Sequence, residues 1–373
     1  AYEIRNCDWS SDVCSSDLAP TYWDYLKLDQ LLSIQGGLGG DVSPDELHFI
    51  IVHQAYELWF KLVLSQLRLA RDHLAAPHLP EERVPFVVHH LGRVNEILRL
   101  CVEQFRVMET LPPQDFLDFR DKLMPSSGFQ SFQVRETEMV LGLAAAQRIP
   151  YGNVDALEHI RSFGDPTPAA MLGRGRIEAA AQETTLRDAL IRWLARTPIQ
   201  GSSPGDPGDE AAVDGFIAAY IARAEAHQRG AVDSLAGTLG EAERQRISDR
   251  VEAGLAATRA FLLSDDFTER RARAGLLFIE SYRELPLLAW PRLLLDTVVE
   301  LEEQLLLWRN RHARMVERTI GRRVGTGGSS GVDYLDKTTS QRIFPELWAV
   351  RSALLPRSEL PALASPEKYG FAG

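Results

Sequence analysis

The sequence predicts an all-α protein, a helical bundle carrying a peripheral helical insertion. Three observations point there. From residue 22 onward apolar residues recur at spacings of three and four. Helix start and stop signals, Ser-Pro-Asp clusters before the runs and Gly or Pro after them, punctuate that pattern. Alternating Val, Ile and Thr runs bounded by hairpin turns are nearly absent, and no internal repeat is visible. The 373 residues are enough to bury a large core.

The elements follow in order. Residues 1–18 (AYEIRNCDWSSDVCSSDL) are rich in Ser, Asp and Cys and have no periodicity, so they read as a disordered tail or a sequence artefact. The first part of the core spans 19–150. Leu26, Leu28, Leu31 and Leu32 begin it, and a break at Gly36, Gly37, Gly39 and Gly40 ends that element. Ser43-Pro44-Asp45-Glu46 then combines an N-cap, a proline suited to the first turn and a glutamate placed for a capping box. It predicts a helix from Pro44 to about His73. Further helices are expected over about 81–110, 114–123 and 130–147, with Pro112-Pro113 and Pro125-Ser126-Ser127-Gly128 between them.

From 151 to 262 the character changes. The connector Gly201-Ser202-Ser203-Pro204-Gly205-Asp206-Pro207-Gly208 is flanked by Ala-, Glu- and Arg-rich helices over about 210–239 and 241–264, which read as a peripheral insertion. The core resumes over 263–373, with one strongly periodic stretch at 267–322, a Gly/Ser loop, and Ile343-Phe344-Pro345-Glu346-Leu347-Trp348.

Bulk composition narrows the partners. A net charge of −11 argues against nucleic acid or an anionic membrane surface. No stretch approaches the roughly 20 apolar residues of a membrane span, and no secretory signal is visible, so a cytoplasmic setting is expected. The three cysteines cannot build a disulfide framework. Cys7 and Cys14 are spaced wrongly for the common zinc pattern, and Cys101 reads as a small buried hydrophobe.

Of nine histidines, two sit on apolar helix stripes. His53 shares a face with Phe49, Tyr56 and Phe60; His312 shares one with Leu301, Leu305, Trp308, Met315 and Thr319. A neutral imidazole on such a stripe suits a haem ligand, and a hydrogen-bonded core histidine has the same pattern. The loop Gly325-Thr326-Gly327-Gly328-Ser329-Ser330-Gly331 offers backbone N–H groups to a polar ligand or serves as a linker; it lacks the Gly-Lys-Ser/Thr of a phosphate loop. Arg120, in Phe119-Arg120-Asp121, is placed to hold a carboxylate or to make a surface salt bridge. These features by themselves name no reaction.

Combined, four segments resemble the tryptophan 2,3-dioxygenase family. They are Thr21–Leu26 (TYWDYL), Phe49–Lys61 (FIIVHQAYELWFK), Phe119–Ser131 (FRDKLMPSSGFQS) and Trp308–Gly331 (WRNRHARMVERTIGRRVGTGGSSG). The resemblance covers residues 20 to about 355 and implies a helical haem dioxygenase fold. By it, His312 is the iron ligand of haem b, with Trp308 and Ser127 also beside the cofactor. His53 is the distal catalytic histidine near the indole nitrogen. Phe49, Ile50, Ile51 and Val52 belong to the indole pocket, and Arg120 and Thr326 hold the carboxylate and ammonium of L-tryptophan. Tyr22 and Tyr25 reach a neighbouring subunit's site, implying a homotetramer built as a dimer of dimers. The implied reaction inserts O2 across the indole C2–C3 bond, giving N-formyl-L-kynurenine. Pro44, Phe105 and Phe116 depart from residues usual or frequent in the family. An indole-hydroxylating relative, a haem carrier without turnover and a cofactor-free helical protein are the competing readings.

Overall fold

A computed structural model describes residues 21–37, 39–124, 126, 128–149, 167–234, 240–326 and 331–370. The readings for 1–18 and Ser127, and parts of those for 151–262 and the Gly/Ser loop, lie outside the described residues. Among the described residues the regular elements are helices, with one isolated β-bridge between Ile199 and Ser202.

Two short helices, α1 (Tyr22–Leu26) and α2 (Leu28–Leu31), precede the long α3 (Pro44–Ala75) and α4 (Val84–Met108). After α5 (Pro113–Arg120) and α6 (Phe132–Leu141) come α7 (Pro168–Ala180), α8 (Leu186–Leu194), α9 (Asp209–Ser234) and α10 (Glu241–Leu262). The chain closes with α11 (Phe267–Ser281), α12 (Ala289–Ile320), α13 (Val332–Thr338) and α14 (Pro345–Ala353). Helices α3, α4 and α12 pack side by side as the scaffold, and α5, α6 and α8 cover α3. Their shared core runs through Leu67, Leu74, Leu91, Leu98, Leu295, Val298 and Leu301, all essentially inaccessible.

Local chemistry sets the boundaries. Ser43 caps α3 by accepting from the Glu46 amide at 3.1 Å, and Pro44 occupies the first turn. The expected capping box is only half made, because the Glu46 carboxylate is buried and pairs with Lys122 at 3.3 Å. The stretch 267–322 is two helices rather than one continuous pattern. Pro286 cannot donate within a helix and disfavours helical backbone before it, so α11 ends at Ser281 and α12 begins at Ala289. Gly321 ends α12 at φ +60° and Gly331 precedes α13 at φ +56°, backbone that favours glycine on both sides of the Gly/Ser loop.

The segment expected to be peripheral is divided. Ile177, Leu186, Leu190, Leu194, Val213, Phe216, Ile217 and Tyr220 join the main core, while most of α10 and the end of α9 face solvent. Arg271 on α11 anchors α9 through two 2.9 Å bonds to Asp209 and a third to the Thr197 carbonyl. Cys101 is buried, and burial pushes its thiol up to about 12. Among the described residues no helix is long and apolar enough to cross a membrane.

Candidate active site

Where α3, α5, α6, α12 and α13 converge, they enclose a cavity of about 1220 Å³, its open mouth included. Phe49 and His53 come from α3, Phe116 and Arg120 from α5, and Arg135 and Glu138 from α6. Helix α12 contributes Trp308, Arg309, His312 and Met315, and the loop behind it contributes Thr326.

The apolar wall is aromatic. Phe49 lies 5.7 Å from both Phe116 and Phe119, and 4.0 Å from the His53 ring. Offset and edge-on rings of this kind offer a slot for another flat aromatic group. His312 stacks on Phe105, with centroids 5.6 Å apart and planes inclined 11°, and lies 5.4 Å from Trp308. The departure at Phe105 therefore leaves an aromatic ring against His312. No hydrogen bond to His312 is found among the described residues. Burial lowers its pKa to about 4, with small contributions from His53 and Arg135, so the imidazole is neutral with a lone pair available.

His53 is prepared differently. Its Nδ1 lies 2.8 Å from the Phe49 carbonyl oxygen, which can only accept, so Nδ1 carries the proton and Nε2 a lone pair. Burial pulls its pKa below the ordinary imidazole range; the Phe49 carbonyl and Glu57 oppose that shift without reversing it.

The polar wall is cationic, with Arg120, Arg135 and Arg309 against the single carboxylate of Glu138 among its lining residues. Glu138 bridges Arg135 at 2.8 Å and Arg309 at 3.3 Å, and all three are largely buried. Arg135 also bonds Tyr334. Arg120 donates to the Val324 carbonyl, which ties α5 to the Gly/Ser loop, and its buried Nε has no partner among the described residues. Thr326 Oγ1 donates to the Ser126 carbonyl at 2.5 Å, tying the stretch that follows α5 to the same part of the chain. Trp308 Nε1 is likewise buried without a partner among the described residues.

The predicted residues do not all converge. Phe49, His53, Arg120, Trp308, His312 and Thr326 share the cavity. Ile50, Ile51 and Val52 are not among its lining residues: Ile51 is half-exposed and Val52 is buried beside the aromatic cluster. Consecutive helical residues diverge by about 100°, so only the i, i+4 pair Phe49 and His53 faces inward together. Tyr22 and Tyr25 project into solvent, away from this cavity. Sequence reasoning missed Arg135, Glu138, Arg309 and Tyr334. Arg309 falls three residues before His312, but an arginine at helical spacing usually marks a solvated face.

An all-helical enzyme is thereby defined, with two neutral histidines and an excess of guanidinium groups facing one aromatic cavity. Comparison with known proteins narrows the class. The tryptophan 2,3-dioxygenase family matches residues 9–354, including part of the stretch read above as a tail or artefact. The chain is 45% identical to tryptophan 2,3-dioxygenase of Sorangium cellulosum (strain So ce56), over 94% of its own length and 87% of that protein's. It is 45% identical to tryptophan 2,3-dioxygenase 2 of Ralstonia nicotianae (strain ATCC BAA-1114 / GMI1000), over 94% and 98%. Against tryptophan 2,3-dioxygenase of Dictyostelium discoideum the identity is 34%, over 95% and 88%. The chain belongs to the tryptophan 2,3-dioxygenase family.

Proposed function

We propose that this chain, as a tryptophan 2,3-dioxygenase, cleaves the indole C2–C3 bond of L-tryptophan with O2 to give N-formyl-L-kynurenine, using haem b held by His312. The observation that carries the reading is the pair of neutral histidines, His53 and His312, lining one aromatic cavity with the incompletely partnered Arg120.

The residues present suit haem. His312 is neutral and braced between Phe105 and Trp308, so its lone pair is available to iron without first losing a proton. The Trp308 N–H, buried without a partner among the described residues, and the guanidinium groups of Arg135 and Arg309 suit a cofactor that carries carboxylates. When bound, ferrous haem supplies the activation of oxygen.

The chain's own residues select and orient the amino acid. Arg120, steadied by Val324, directs its remaining N–H groups at the substrate carboxylate. Thr326, tied to Ser126, meets the ammonium group of the substrate. Phe49 and Phe116 receive the indole ring. His53 accepts the indole N–H at Nε2, because Nδ1 is committed to Phe49. An indole N–H is a very weak acid, so His53 orients the substrate rather than removing its proton outright. Tyr22 and Tyr25, 71% and 80% exposed on a helix with no buried residue, complete the site of a neighbouring copy in a homotetramer.

The test uses haem-reconstituted protein incubated with L-tryptophan in air. The expected product is N-formyl-L-kynurenine, followed by its near-ultraviolet absorbance and mass; an oxindole product overturns the reading. The His312→Ala protein should lose the Soret band of the reconstituted wild type, and an unchanged band would remove the iron-ligand assignment.

A further inference from the structure

The wall of the cavity carries a buried negative charge that the recognition of the amino acid does not use. Glu138 is the single carboxylate among the described lining residues, and it faces Arg135 at 2.8 Å and Arg309 at 3.3 Å. The side chains of Glu138, Arg135 and Arg309 are 12%, 13% and 6% exposed. Arg135 and Glu138 stand three residues apart on α6, so both fall on one face of that helix. Arg309 lies three residues before His312 on α12, about 4.5 Å along the axis at 1.5 Å per residue. Arg135 also bonds the buried Tyr334 of α13, so the charges are fixed from three helices.

Such a triplet is a poor way to hold helices together. Taking two cations and an anion out of water costs about as much as their attraction returns, and apolar side chains would pack α6 on α12 at least as well. What the triplet does supply is a fixed field inside the cavity. In an effective dielectric of about 20, a unit charge about 12 Å away shifts a one-electron equilibrium by about tenfold. His312 lines the same cavity as all three charges.

We propose that the Arg135–Glu138–Arg309 triplet sets the balance between the ferric and ferrous forms of the haem, with Glu138 as the member that holds the reduction potential down. The inference rests on the haem reading above and gives that site its electrostatic control. Ferric haem carries one more positive charge than ferrous haem. The Glu138 carboxylate therefore favours the ferric form, and the two guanidinium groups favour the ferrous form that meets oxygen. Two cations against one anion leave one unit of positive charge facing the cofactor. Without Glu138 that excess doubles, and the guanidinium groups lose the partner that makes their burial tolerable.

A redox titration of the full chain reconstituted with haem, followed at the Soret band, reads this balance directly. Glu138→Gln keeps the side chain's volume and one acceptor oxygen but removes the charge. It should move the equilibrium about tenfold toward the ferrous form, about 59 mV upward for a one-electron couple. A midpoint that stays put or falls overturns the proposal. Glu138→Asp keeps the charge and should remain within about threefold of wild type. A shift in Glu138→Asp equal to that in Glu138→Gln would trace the effect to packing and overturn the assignment. Should Glu138→Gln fail to fold, Arg135→Gln gives the second readout: with a cation removed, the equilibrium should move about tenfold toward the ferric form. No movement, or movement toward the ferrous form, is the overturning result there. A wild-type chain without a Soret band would overturn the haem reading itself, and this inference with it.

Discussion

Arg120 illustrates how one side chain is divided between structure and recognition. One terminal nitrogen is held by the Val324 carbonyl, which fixes the plane of the guanidinium, while the buried Nε has no partner among the described residues. Leaving a charged donor buried without a partner is costly, and a bound carboxylate relieves that cost. Lysine keeps the charge but loses the planar fork, so the exchange is not conservative here. Arg120→Lys is expected to lower kcat/KM for L-tryptophan by about 10- to 100-fold, the worth of one or two charged hydrogen bonds, chiefly through KM. Tryptamine, which lacks the carboxylate, should be used equally poorly by wild type and variant. A drop in kcat alone, with KM unchanged, would place Arg120 outside substrate binding.

At the scale of elements, α12 has to hold His312 and also be held itself. Ten residues before His312, the buried Glu302 accepts from the backbone amides of Ile343 and Phe344 and from Trp348 Nε1. Three donors that would otherwise be orphaned share one carboxylate, so the 343–348 segment is fastened to α12. Glu302→Ala strands all three and is expected to cost about 3 kcal/mol or more in urea unfolding. Glu302→Gln keeps one acceptor oxygen and should cost less; equal losses would mean that the side chain's volume, not its hydrogen bonds, matters. None of this is legible in the sequence, because a glutamate at helical spacing has the pattern of a solvated position. The limits of reading elements from sequence follow the same logic. Ser43-Pro44 locates the start of α3 because capping is local chemistry. The break before α12 is hidden because Leu285, Leu287 and Leu288 carry the apolar pattern across Pro286. His53 and His312 stand out as polar residues on apolar stripes, whereas Arg135, Glu138 and Arg309 are recognisable only once two helices bring them together.

For the whole molecule, the buried histidines make a statement about acid. His312 has its pKa lowered to about 4, and His53 and His90 are also shifted down, each chiefly by burial. In the unfolded chain these imidazoles take up protons near pH 6.5. Between that value and about pH 4 the unfolded state therefore binds more protons than the folded one, so stability falls as the pH falls through this window. Above pH 6.5 the three contribute no pH dependence. His312 alone accounts for on the order of 3 kcal/mol at most by pH 4, since a tenfold change in proton affinity is worth about 1.4 kcal/mol. Glu183, whose pKa is lowered by Arg68 and Arg71, adds a further loss only below the ordinary carboxylate range near 4.5. Urea unfolding of the haem-free chain at pH 7.5, 6.5, 5.5 and 5.0 separates the two contributions. We expect a plateau down to about pH 6.5 and a steady decline below it. In His312→Phe, which fills the same space without a titrating group, the decline should be shallower. A stability that stays level from pH 7.5 to 5.0 would mean that solvent reaches these rings and that the cavity wall is less closed than the packing of Phe105, Trp308 and His312 requires.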